Sequence, residues 1–247
     1  MALGTRRAFM TALASALGSC GVASRQDDHA QILLFNGAGV SPGSAAAIAT
    51  ILRNCALRFA SAGSRALNEM NEPRLRAHKL LIIPGGNFEL LGNALSPSAA
   101  ARIRRSVLGG LNYLGICAGA FFAGASPYNG ANLTDGVRFN FYSLEASGVR
   151  KAAVPIATPD GATLEHYWED GPELSGWGET IARYPDGTPA AVQGPVGRGW
   201  VILAGVHPEA GENWRRGMTF STPARIDNAF AAKLIFAALN RRRLAHF

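Results

Sequence analysis

Leu111-Asn112-Tyr113-Leu114-Gly115-Ile116-Cys117-Ala118-Gly119-Ala120-Phe121-Phe122 decides how this chain folds. Leu111–Ile116 is an apolar run of strand length, and Ala118–Ala125 has the composition of a helix. Between them stands a cysteine flanked at two residues on either side by Gly115 and Gly119. A nucleophile between glycines at a strand-to-helix turn is the elbow motif G-x-nucleophile-x-G. The sharp turn forces that side chain into an awkward backbone geometry and exposes it beyond the carboxyl end of the sheet. The glycines relieve the crowding. The helix opening at Ala118 points positive backbone dipole at the sulfur, which favours the thiolate. Most free cysteines are simply small buried hydrophobes. Cys55, near the end of an apolar helix with nothing reactive around it, fits that description; the glycines and the turn set Cys117 apart.

Outward toward the N-terminus, His78–Ile83 is an apolar strand punctuated by Pro84-Gly85-Gly86. Gln31–Phe35 is another, ending in the glycine-rich turn Asn36-Gly37-Ala38-Gly39. Pro42-Gly43-Ser44 opens an alanine-rich helix to about Arg53, and Leu57–Ala60 is a further short strand. Ser96-Pro97 is a helix start, with Ser as cap and Pro in the first turn, and that helix runs to Leu108. The order β-α-β-β-α-β-α predicts an α/β fold: an open, mostly parallel sheet with helices on both faces.

Outward toward the C-terminus, residues 131–191 change texture. Short strand-like runs (Val137–Leu144, Ala153–Ala157, Thr163–Trp168, Thr180–Tyr184) are broken by Gly, Pro and Asp, which predicts a β-rich edge insertion. Trp200–Ala204 is a last buried strand and leads into Gly205-Val206-His207-Pro208-Glu209. The final helix spans about Ala224–Arg243, with Ile226, Phe230, Leu234, Ile235, Ala238 and Leu239 on the stripe expected to dock on the sheet.

In near-extended backbone, positions two apart point the same way, so Glu209 can lie beside His207 and orient its ring. His207 is then the expected base toward Cys117, with Glu209 holding the tautomer. Pro84-Gly85-Gly86 ends a strand at the sheet edge where ligands gather in open parallel sheets. Its backbone N–H groups can face a developing oxyanion, with Gly86 as one donor and Ala118 as the other. Substrate contacts are expected from Asn36, Gly37, Gly39 and Gly85. Tyr167 and Trp168, followed by Glu169-Asp170, are candidates for a wall or lid, with ordinary edge-strand packing as the alternative. Glu165, His166 and Glu169 match no strong ligand spacing, so neither metal nor cofactor is expected.

This combination resembles the class I glutamine amidotransferase-like superfamily, whose members carry a P-G-G oxyanion strand, a G-x-C-x-G elbow and an H-P-E pair in this order. The closer resemblance is to the amidotransferase-like domain at the N-terminus of eukaryotic biotin–protein ligases. It is carried by Phe35–Ser44, Leu81–Gly86, Tyr113–Phe122, His166–Pro172 and Gly199–Glu209, over roughly residues 31–215. The resemblance implies a flavodoxin-like sheet and the Cys117-His207-Glu209 triad. Biotin ligation itself is not expected of a chain of 247 residues. Ala120-Phe121-Phe122 is bulky and apolar where glutamine-using members commonly carry a polar residue, which argues against glutamine hydrolysis. The expected activity is cysteine-dependent hydrolysis of a small-molecule or peptide amide, of amidase, deamidase or peptidase type. A non-catalytic binding protein on the same scaffold is the alternative, and a glutaminase with a separate partner is a third.

The first residues carry an address. Thr5-Arg6-Arg7-Ala8-Phe9-Met10 resembles a twin-arginine export signal, an apolar stretch follows to about Leu17, and Leu17-Gly18-Ser19-Cys20 resembles a bacterial lipobox. Residues 1–19 are therefore expected to be a signal peptide, 20–30 a tether and 31–247 a single domain. The protein would be exported to the periplasm and held at a membrane through lipidated Cys20. The net charge is +7, and loss of Arg6 and Arg7 lowers it by two. Its basic residues are scattered and lack interleaved aromatics, so no nucleic-acid partner is expected. Arg241-Arg242-Arg243 are expected at a solvated helix end. Three cysteines make no disulfide framework.

Overall fold

The computed structural model describes residues 30–247. The expected signal peptide, Cys20 and nearly all of the tether lie outside those residues. The elements are β1 (Ile32–Phe35), α1 (Pro42–Asn54), β2 (Phe59–Ala62), α2 (Ser64–Glu69), α3 (Glu72–Arg76), β3 (Leu80–Ile83), α4 (Phe88–Ala94), α5 (Pro97–Leu108), β4 (Asn112–Ile116), α6 (Ala118–Ala123), β5 (Asn140–Phe141), β6 (Lys151–Ala157), β7 (Thr163–Glu169), β8 (Pro172–Glu173), β9 (Glu179–Arg183), β10 (Pro189–Val196), β11 (Gly199–Ala204) and α7 (Ala224–Asn240).

Nine strands form one sheet in the order β2-β1-β3-β4-β11-β10-β9-β6-β7. The five from β2 to β11 run parallel. The remaining four extend the edge in antiparallel fashion. This is the expected α/β sheet with a β-rich edge. Alternation along each central strand splits its side chains between two cores. Ile32, Leu34, Leu80, Ile82, Leu114, Ile116, Ile202 and Ala204 face α1 and α7. Leu33, Phe35, Leu81, Ile83, Tyr113, Val201 and Leu203 face α2 to α6. Burial on both faces explains why these strands read as unbroken apolar runs. Each buried Leu or Ile contributes about 1.5–3 kcal/mol relative to exposure.

Several expectations are corrected. Helices α2, α3 and α4 are additional to the β-α-β-β-α-β-α order. Asn71 and Asn87 cap α3 and α4, accepting from the N–H groups of Arg74 at 3.0 Å and Leu90 at 2.8 Å. Within 137–144 only Asn140–Phe141 pairs as strand. Strand β10 was hidden by Pro189, Gly194 and Pro195, which read as breakers. It forms a hairpin with β11 in which Pro195 lies opposite Trp200. On α7 the docking stripe holds for Phe230, Leu234, Ile235, Ala238 and Leu239, whereas Ile226 is exposed. The helix stops at Asn240 because Arg241 turns left-handed at φ 53°. Arg241 then donates to Asn112 Oδ1 at 3.0 Å, and Arg243 pairs with Glu179, so this end is tied to the sheet rather than simply solvated. No helix among the described residues is long and apolar enough to cross a membrane.

Candidate active site

Cys117 follows β4 directly and opens α6 at φ 47° and ψ −103°. A non-glycine residue there is strained by roughly 1–3 kcal/mol, and the surroundings hold it in place. Its N–H donates to the Ala204 carbonyl at 2.7 Å, which locks the elbow onto β11. The flanking glycines are required by close backbone packing. A methyl group on Gly115 would lie 2.5 Å from the Gly119 carbonyl oxygen, and one on Gly119 would lie 2.0 Å from that of Ile83. Tyr113 Oη also donates to the Gly119 carbonyl, at 2.7 Å.

His207 follows β11, the strand paired in parallel with β4. Its N–H donates to the Tyr167 carbonyl at 2.8 Å, fastening it to β7 as well. The ring Nδ1 lies 2.9 Å from Glu209 Oε1. Both side chains are buried, at 3% and 1% exposure. Burial works to lower the pKa of His207. The Glu209 carboxylate, followed by the charge and hydrogen bond of Cys117, outweighs burial and holds His207 well above the ordinary histidine value. Cys117, His207 and Glu209, separate in sequence, are thus in one cluster.

Gly85 is what lets them meet. A methyl group there would sit 2.2 Å from His207 Cε1 and 3.3 Å from Cys117 Cβ. The Gly85 N–H is already engaged, donating to Ser44 Oγ at 3.0 Å, so its expected role as a substrate donor is corrected to that of a spacer. Ser44 in turn donates to Glu209 Oε1 at 2.5 Å. This fully buried hydroxyl on α1 therefore orients the carboxylate that orients the histidine. Sequence reading missed Ser44 as a site residue; a polar side chain in the first turn of an otherwise apolar helix was the available signal.

Gly86 has φ 152° and lines the cleft. It stands opposite Val40 in an isolated bridge whose hydrogen bonds run Ser41 N–H to Gly85 and Asn87 N–H to Gly39. That leaves the Gly86 N–H without an acceptor among the described residues. The Ala118 N–H, at the start of α6, is likewise without one. Asn36, Gly37 and Gly39 do not line the cleft. Gly37 packs on the Phe35 ring and Ser64, and Gly39 against the backbone of Leu91. This loop buttresses Gly86 and Asn87 rather than offering free donors.

The cleft above Cys117 has a volume of about 460 Å³, and its walls include Ser41, Asn87, Phe88, Phe121, Phe141 and Trp214. Trp214 packs edge-on to His207 with centroids 5.4 Å apart. Tyr167 packs on the same histidine at 5.8 Å and donates to Glu169 Oε2 at 2.8 Å. It braces the site from behind. Trp168 alternates to the opposite face, fully buried, with Nε1 donating to the Gly171 carbonyl at 3.2 Å. Its expected place in the wall is corrected accordingly, whereas Glu169 and Asp170, the wall candidates that follow it, do line the cleft. Burial raises the Asp170 carboxyl pKa, with Arg150 opposing. His166 is sealed in the core beside Asp227 and Arg215. Among the described residues no group of three His, Cys, Asp or Glu side chains is arranged to hold a metal ion.

Residues 30–130 match the family described as biotin-protein ligase, N terminal. No curated protein matches the chain. Among solved structures, a glutamine amidotransferase is similar at TM-score 0.55 and 17% identity, over 72% of this chain and 90% of that one. A candidate GMP synthase component from Thermoplasma acidophilum has TM-score 0.53 and 12% identity, over 86% and 96%. A cytoplasmic protein from Salmonella typhimurium LT2 has TM-score 0.54 and 12% identity, over 86% and 100%. The fold is glutamine amidotransferase-like, as the sequence resemblance implied.

Proposed function

We propose that this glutamine amidotransferase-like protein is a cysteine-dependent amide hydrolase acting on a small-molecule or peptide amide. The observation that carries this reading is the strained Cys117 elbow beside a buried His207–Glu209 pair with a 2.9 Å contact. With the thiol proton already transferred to His207, whose pKa the Glu209 carboxylate helps to hold high, Cys117 Sγ attacks the amide carbonyl carbon. The oxyanion rests on the Gly86 and Ala118 N–H groups. His207 returns the proton to the leaving nitrogen as the C–N bond breaks. Water, deprotonated by His207, then attacks the thioester and releases the acid and the free thiol.

A binding protein on the same scaffold is the second reading. Two observations favour it: Cys117 is only 3% exposed, and its Sγ contacts the Glu169 carbonyl at 3.6 Å. The two separate on the rate of Cys117 alkylation by iodoacetamide against pH, in the wild type and in His207→Ala. The hydrolase reading expects faster reaction in the wild type near neutral pH, followed by turnover in an amide screen. Equal, slow rates would leave only the binding protein.

On the leader sequence alone, Thr5–Cys20, we further propose export by the twin-arginine route and a lipid anchor at Cys20. Membrane fractionation of the wild type against Cys20→Ser tests this, and an unchanged distribution would refute the anchor.

A further inference from the structure

A second cavity of about 270 Å³ adjoins the catalytic cleft and shares the side chains of Phe88, Phe121 and Phe141 with it. The three rings form one aromatic wall. Phe88 stacks on Phe121 with centroids 4.6 Å apart, and Phe141 meets the edges of Phe121 at 5.1 Å and Phe88 at 5.7 Å. Phe141 is 36% exposed and sits on the two-residue strand β5, whose one strand partner among the described residues is β8. A large aromatic side chain kept partly in water between two cavities is poised to receive a ligand's apolar group.

Two charged side chains face the second cavity, Arg138 and Glu145. Glu145 is already paired with Arg150 at 2.8 Å. Arg138 is exposed and makes no ion pair or hydrogen bond among the described residues. The cavity therefore combines an aromatic wall with an uncompensated guanidinium, the donor group best shaped for a carboxylate.

We propose that this cavity is a substrate subsite for an aromatic side chain carrying a carboxylate, so that the scissile amide at Cys117 joins an acyl group to an aromatic amino acid with a free carboxyl end. This rests on the hydrolase reading and narrows its substrate class. The ring packs against Phe88, Phe121 and Phe141, and the carboxylate meets Arg138. Phe121, which departs from the polar residue expected of a glutamine-using site, becomes part of a pocket selecting for apolar substrates.

The test uses three thiol reagents on the full chain: iodoacetamide, N-iodoacetyl-phenylalanine and N-iodoacetyl-phenylalaninamide. Peptide mapping separates Cys117 from Cys55. The acid is expected to alkylate Cys117 saturably and about threefold to fivefold faster than the amide, the worth of one well-formed ion pair near the surface. Arg138→Gln should bring the ratio of acid to amide close to one. Phe141→Ala should raise the half-saturating concentration of both phenylalanine reagents. Equal rates for acid and amide, or a preference that survives Arg138→Gln, overturns the subsite while leaving the hydrolase reading intact. If iodoacetamide fails to modify Cys117, the hydrolase reading falls. Calorimetric binding of N-acetyl-phenylalanine against N-acetyl-phenylalaninamide then decides the cavity. A preference for the acid that Arg138→Gln removes supports the pocket, and no preference overturns it.

Discussion

Adding one methyl group at Gly85 should disconnect the triad without substituting any of its members. Gly85 has no left-handed backbone requirement, so alanine there tests space alone. Its Cβ would lie 2.2 Å from His207 Cε1 and 2.9 Å from Nδ1, where ordinary contacts begin at 3.4 Å. The ring must therefore retreat by about 1.2 Å, at a cost of about 1–3 kcal/mol in stability for overpacking a buried site. That retreat is incompatible with keeping both the 2.9 Å contact to Glu209 and the approach to Cys117. Misplacement of a catalytic group by about 1 Å costs on the order of 100-fold in rate. Gly85→Ala should thus remain folded by circular dichroism, melt at a lower temperature, and lose about 100-fold in Cys117 alkylation rate at neutral pH. A folded variant that alkylates at the wild-type rate would refute the inference that His207 activates Cys117 from this position.

Ser44→Ala removes the hydroxyl joining the Gly85 N–H to Glu209 and leaves a buried donor unpaired. It should cost about 2–4 kcal/mol in urea unfolding, and a loss under 1 kcal/mol would count against the network. Glu209→Gln removes the carboxylate that most strongly raises His207, so the His207 titration seen by NMR should move down. A base whose folded pKa is raised adds stability below its unfolded value of about 6.5 and loses it as pH rises through the folded value. The stability gap between wild type and Glu209→Gln should therefore be widest in mild acid and narrow as the pH rises; an unmoved His207 midpoint would rule this out. His166 shows the opposite sign: burial first, then the Arg215 guanidinium, lowers it to about 3, despite the Asp227 carboxylate 3.6 Å away. Its contribution is present above pH ~6.5 and lost on acidification, amounting to about 2 kcal/mol between pH 7.5 and 5. His166→Leu should flatten that slope in denaturant titrations, and an unchanged slope would contradict the assignment.

Much of the architecture was legible locally. β1, β3, β4 and β11 are buried on both faces, so their residues read as unbroken apolar runs. The G-x-C-x-G pattern marked the elbow because only glycine tolerates the 2.0–2.5 Å approaches found at Gly115 and Gly119. The short helices α2, α3 and α4 escaped because five to seven residues are too few for a helical period to emerge. Their Asn and Gly caps were weak signals beside that. β10 escaped because Pro189 and Pro195 are tolerated by its hairpin pairing, a fact invisible without its partners.

The chain by itself determined the parallel α/β core, the elbow cysteine and the H-P-E pair, because each is written in neighbouring residues. Only the tertiary structure decided which side chains share the cleft. It brought Ser44 to Glu209 across 165 positions of sequence, turned Gly85 from a donor into a spacer, and sent Trp168 into the core while Phe141 and Trp214 reached the cleft. A one-residue step along a strand moves a side chain from one face of the sheet to the other. Which face meets the site is set by the packing of distant elements, and no local pattern records it.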